Sequence, residues 1–150
     1  MRAKCRLWGT VAGLGLSTVF VGCMATEQVP AGTSLYERIG GKPIISMVVE
    51  QCVANLLADT RINGRFATAD IRKLKGHLVD HLCRETRGPC AYSGRAMKTA
   101  HAGMRVSTGD VRAFEEDLVK AMDMAKVPAQ ERGELLGLLG AMKKDIIEVP

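Results

Sequence analysis

The apolar residues of this chain return every three or four positions, segment after segment, and nowhere alternate. Over 44–57, Ile45, Val48, Val49, Cys52, Val53, Leu56 and Leu57 fall on one broad helical face, as a turn of 3.6 residues requires. Over 70–84, Ile71, Leu74, Leu78 and Leu82 form a second stripe, with His77 and His81 beside it and Asp70 placed to cap its start. A third helix is predicted over 110–126, with Val111, Phe114, Leu118, Ala121, Met122 and Ala125 as its core face. Ser107 and Asp110 stand before it in capping-box spacing, aspartate replacing the usual glutamate. Pro128 breaks that helix and opens a fourth over 129–147, whose apolar area comes from Leu135, Leu136, Leu138, Leu139, Met142, Ile146 and Ile147. No strand pattern competes, so the fold class is all-α.

The first 22 residues read as a separate unit. Basic Arg2, Lys4 and Arg6 precede an apolar run from 7 to 21, then Phe20-Val21-Gly22-Cys23. That order predicts a lipoprotein-type signal peptide over 1–22, with Cys23 acylated as the mature N-terminus. The competing reading is a retained anchor, for which the run falls short of the roughly 20 residues of a spanning helix. Lipid on Cys23 then holds the protein on a membrane, and an exported location follows, periplasmic or at the cell surface of a bacterium. Residues 23–33 are a tether, and 34–150 form one domain. Removing 1–22 takes three of the 21 Lys+Arg and none of the 16 Asp+Glu, leaving 18 against 16. The basic balance of the whole chain therefore belongs largely to the signal. No basic stripe with interleaved aromatics remains, and nucleic acid is not a predicted partner.

With Cys5 in the signal and Cys23 under lipid, Cys52, Cys83 and Cys90 are left. Cys83 near a helix end and Cys90 in the following loop are spaced so that the chain can fold back and join them in an oxidising compartment. Two free thiols are the alternative. Cys52, among apolar residues, reads as a small buried hydrophobe.

The chemistry concentrates in Gly94-Arg95-Ala96-Met97-Lys98-Thr99-Ala100-His101-Ala102-Gly103-Met104, which sets one histidine on a short helical turn between glycines, after an irregular lead-in from Gly88. An imidazole held this way can bind a metal through one ring nitrogen. Three ordered motifs, Ser34-Leu35-Tyr36-Glu37-Arg38-Ile39-Gly40-Gly41, the Gly-Pro-x-x-Tyr-x-Gly-Arg-x-Met lead-in at 88–97, and His101-Ala102-Gly103-Met104, together resemble the truncated hemoglobins, group I type. The resemblance runs from about Ser34 to Val149.

It implies a truncated globin fold, a two-on-two helical sandwich around heme, with His101 as the proximal iron ligand. Phe66 matches the phenylalanine that packs on the porphyrin face, and Met97 a residue at the heme edge. Arg95, Lys98 and Lys73 are candidates for the propionates. With no Cys-x-x-Cys-His present, the expected cofactor is noncovalent heme b. The phenylalanine-tyrosine pair of group I members falls on Cys52-Val53, and their glutamine positions on Leu74 and Leu78, so an apolar distal side is expected. A hydrogen bond to a charged group contributes roughly 1.5–3 kcal/mol, so its loss predicts faster release of oxygen, by about one to two orders of magnitude. His77, one turn after Leu74, either binds the iron on the distal face or sits at the pocket mouth. His81 is expected to lie too far along to reach it, and the pair His77 and His81 lacks a clear third ligand for a separate metal site. The implied function is reversible binding of oxygen, carbon monoxide or nitric oxide. The alternative is a six-coordinate heme with a redox partner, for electron transfer or peroxide or nitric oxide chemistry.

Overall fold

The computed structural model describes residues 32–149; the predicted signal peptide and Cys23 lie outside them. Helix α1 (Leu35–Ile39) starts at Ser34, whose hydroxyl accepts from the Glu37 amide while the Glu37 carboxylate accepts from the Ser34 amide, two orphan donors satisfied at once. Gly40 ends α1 and opens α2 (Gly41–Ala58) in one left-handed residue, φ 106°. A side chain is strained there, which is why two helices meet at a glycine without a linker. Pro43 sits in the first turn of α2, where its missing N–H is no loss.

A 3₁₀ turn (Asn63–Phe66) leads to α3 (Ile71–Glu85), capped by the Asp70 side chain accepting from the Lys73 amide at 3.0 Å. The short α4 (Met97–His101) follows, then α5 (Thr108–Met124), whose Ser107–Asp110 capping box forms as the spacing predicts. The expected helix over 129–147 is two helices, α6 (Ala129–Gly140) and α7 (Lys143–Ile146), parted at residues 141–142.

Helix α2 lies across both α5 and α3, and α6 closes on α5 and α1. Val48, Val49, Val53 and Leu56 of α2 meet Leu118, Ala121 and Met122 of α5 in a core that is all but sealed from solvent. Arg38 of α1 reaches Glu131 and Glu134 of α6, tying the ends of the chain together. Val149 pairs with Ser107 in an isolated parallel bridge, and the amides of Glu148 and Val149 donate to the Val106 carbonyl. No helix among the described residues is long and apolar enough to cross a membrane.

Candidate functional site

A cavity of about 200 Å³ opens between α2, α3, α4, α5 and the α6–α7 segment. Its walls are mostly apolar: Val49, Cys52 and Leu56 from α2, Leu74, Leu78 and Leu82 from α3, and Val111, Phe114 and Leu118 from α5. Leu139, Met142 and Ile146 close the far side, with Ile62, Phe66, Met97, Met104 and Val106 completing the wall. His101 faces this space from the end of α4.

The ring of His101 is set by its own helix turn. Nδ1 lies 2.8 Å from the Met97 carbonyl oxygen. A carbonyl only accepts, so Nδ1 carries the proton of the neutral ring and Nε2 keeps a bare lone pair, the form that ligates a metal. The segment after it is clasped from the C-terminus. Both Glu148 carboxylate oxygens accept backbone amides, from Gly103 at 2.7 Å and Arg105 at 2.5 Å. These two bonds hold the Glu148 carboxyl below its ordinary range, with His101 and Arg105 nearby adding to the effect.

Among the described residues no three His, Cys, Asp or Glu converge on one point. One histidine with a free Nε2 in an apolar slot is a donor set for a metal that arrives already held by a macrocycle, with its flat face covered by Phe66, Leu74, Leu78 and Met97. The residues present fit a heme.

The structure brings together His101, Phe66, Met97, Leu74 and Leu78, and corrects the other expected contacts. Val53 does not line the cavity. It is 1% exposed among core residues, whereas Val49, Cys52 and Leu56, separated by three and four positions, point into the space. The Cys52 thiol there is pushed up to about 12 by burial, with the Asp117 carboxylate adding to it, so it is neutral and a poor metal ligand. Lys73 and Lys98 are exposed and outside the lining, as is Arg95. The cations at the cavity are Arg65, paired with Asp110 at 2.5 Å, and Lys143, paired with Glu115 at 2.8 Å. Arg65 also donates to the Met104 and Arg105 carbonyls, which braces the loop behind His101.

The two histidines of α3 exchange the places expected of them. His77 is half-buried and outside the lining, its ring edge-on to Tyr92 at 6.2 Å. His81 is 5% exposed and lines the cavity. At about 100° per residue, Leu74, Leu78 and Leu82 span one arc of the helix. His81 falls about 20° outside the Leu74 edge of that arc and His77 about 60° outside it. Burial pushes the His81 imidazole below its usual range despite the Glu85 carboxylate nearby. The distal side is therefore not wholly apolar. The structure also joins Cys83 to Cys90 in a disulfide, Cα–Cα 5.7 Å.

The profile of the bacterial-like globin family matches residues 34–148. Among similar proteins, a group 1 truncated hemoglobin GlbN of Nostoc sp. (strain MUN 8820) is 32% identical over 115 residues, 77% of this chain and 98% of that relative. A group 1 truncated hemoglobin GlbN of Mycolicibacterium paratuberculosis is 31% identical over 113 residues, 75% of this chain and 83% of the relative. In three dimensions the chain is similar to truncated hemoglobin from Tetrahymena pyriformis, Fe(III) form, with a TM-score of 0.74 and 25% identity over 77% of this chain and 98% of the other. It is likewise similar to the 2/2 hemoglobin from Synechococcus sp. PCC 7002, solved in the cyanomet state with covalently attached heme, at a TM-score of 0.72 and 27% identity. With a cavity served by one metal-ready histidine inside a two-on-two helical frame, the chain belongs to the bacterial-like truncated globin family, with group 1 truncated hemoglobins as its homologues.

Proposed function

We propose that this protein binds heme b noncovalently through His101 and takes up a diatomic gas reversibly at the iron. Heme, when bound, supplies a metal with one position left for oxygen, carbon monoxide or nitric oxide. The observation that carries the reading is the His101 ring, with its Nδ1 proton committed to the Met97 carbonyl and its Nε2 free in an apolar cavity. Phe66, Leu74, Leu78 and Phe114 keep water from the site. Glu148 and Arg65 hold the loop after His101, so that the imidazole keeps its angle.

His77 lies outside the cavity, which favours gas binding over the six-coordinate reading that rests on it. Export and lipid attachment at Cys23 belong to the same proposal. A disulfide between Cys83 and Cys90 supports it, because such bonds persist in oxidising compartments and are rare in the cytosol.

Titration of the full chain with hemin tests the reading. One equivalent should bind with a sharp absorption change, and His101→Leu should abolish the ligated spectrum. Extraction of the heme into acidified organic solvent should be complete for a noncovalent cofactor. Heme that stays with the protein contradicts that part.

A further inference from the structure

His81 carries both of its ring nitrogens buried and without a hydrogen-bond partner, in a side chain 5% exposed that lines the cavity. A buried polar group left unpaired is costly, and nearly all such groups in folded proteins find a partner. The protein around His81 offers none. Glu85 Oε1 stands 3.8 Å from Nδ1, beyond hydrogen-bond reach, and that oxygen already accepts from Arg84 at 2.6 and 3.0 Å. The Tyr92 ring packs against the imidazole at 5.0 Å, tilted by 54°, but its hydroxyl donates to the Arg95 carbonyl. The space in front of His81 is the cavity itself.

The other polar side chains of the wall are already engaged. Arg65 is joined to Asp110, Lys143 to Glu115, and the His101 Nδ1 proton to Met97. Cys52 offers only a weak thiol donor. His81 thus brings the strongest uncommitted N–H among the described lining residues, and it enters from α3 while His101 enters from α4.

We infer that His81 is the polar anchor of the cavity, donating a hydrogen bond to a small ligand that presents an acceptor atom, dioxygen being the case to test. The inference rests on the heme reading and deepens it. The leucines at 74 and 78 leave the pocket without the amide donors that the family resemblance led one to expect there, and one imidazole a turn further along the same helix supplies an N–H instead. Held neutral by its surroundings, the ring has one donor and one acceptor, so it favours ligands with a negative or lone-pair end over apolar ones of the same size. The tilted contact with Tyr92 limits how far the ring can turn.

The experiment uses the full chain loaded with hemin, reduced, and compared with His81→Leu, His81→Gln and His77→Ala. The first readout is the infrared stretch of added carbon monoxide, which a donor near its oxygen lowers. The second is the rate at which dioxygen leaves. Replacing His81 with leucine should raise the stretching frequency and speed dioxygen release about 2- to 10-fold, as loss of one neutral hydrogen bond implies. His81→Gln, which keeps an N–H, should recover part of both, and His77→Ala should leave both unchanged. If His81→Leu does not take up hemin, His81→Phe keeps the ring against Tyr92 without the N–H and carries the same comparison. Equal stretch and rate in wild type and His81→Leu, both with heme bound, overturn the inference and leave the heme reading standing. Sharp split bands in the reduced wild type that vanish in His81→Leu make His81 an iron ligand and overturn it too. Failure of the wild-type chain to bind hemin overturns both.

Discussion

Replacing Cys90 with alanine opens the loop that joins the end of α3 to the segment carrying Tyr92 and, further on, Met97 and His101. The bond closes a loop of sequence separation 7. The chain-entropy relation then gives a stabilisation of about 2.4 kcal/mol at 25 °C. The folded side of the comparison changes little: Cys83 is fully buried and its freed thiol remains a small apolar group, while Cys90 is half-buried. For a domain of roughly 115 residues, an unfolding entropy near 2.1 cal/mol/K per residue converts that loss into a fall in Tm of about 10 °C. Thermal unfolding followed by circular dichroism, with and without a thiol reductant, measures it. Wild type should lose about 10 °C on reduction, and Cys90→Ala should start at the lower value and ignore the reductant. A variant that melts within about 2 °C of oxidised wild type would refute the argument that this short loop constrains the unfolded chain.

Three further outcomes are expected. Asp110 is held down to about 2 by Arg65, helped by Ser107; a carboxyl depressed in the folded state stabilises above its ordinary value and loses that contribution as pH falls from about 4 through about 2. Urea midpoints of wild type and Asp110→Asn should therefore converge over that interval, and a gap that stays constant counts against the Arg65–Asp110 pair. Glu148→Gln weakens the clasp on the Gly103 and Arg105 amides, so hydrogen exchange at those two positions should accelerate while that of the α2 core is unchanged. Leu118→Ala removes a side chain only 2% exposed between α5 and α2 and should cost about 2–5 kcal/mol, whereas Met124→Ala, 63% exposed, should stay within about 0.5 kcal/mol in denaturant titrations.

Helices α2, α3 and α5 were legible because each buries one face and is capped by side chains visible in the sequence, as at Asp70 and Ser107. The break between α6 and α7 was not, since Leu138, Leu139, Met142 and Ile146 keep the apolar pattern running across residues 141–142. Inside the site, His101, Phe66 and Met97 could be placed by the resemblance. Cys52 and Val53 could not be told apart, because both are buried and only the neighbouring helix decides which one meets the cavity. The same limit hid His81: it and His77 flank one leucine stripe, and about 40° of helix rotation separates a cavity wall from a half-buried flank. Arg65 and Lys143 came from segments far apart in sequence, and the charges at the cavity depend on tertiary packing that no local spacing reports.

The central claim is that the His101 imidazole holds the iron, and the iron–histidine stretching band in the resonance Raman spectrum of the reduced, hemin-loaded full chain tests it most directly. The account predicts that the band is present in wild type, persists in His77→Ala and His81→Leu, disappears in His101→Gly, and returns when free imidazole is added to that variant. A band that survives in His101→Gly without imidazole would contradict the assignment and place the iron on a different side chain.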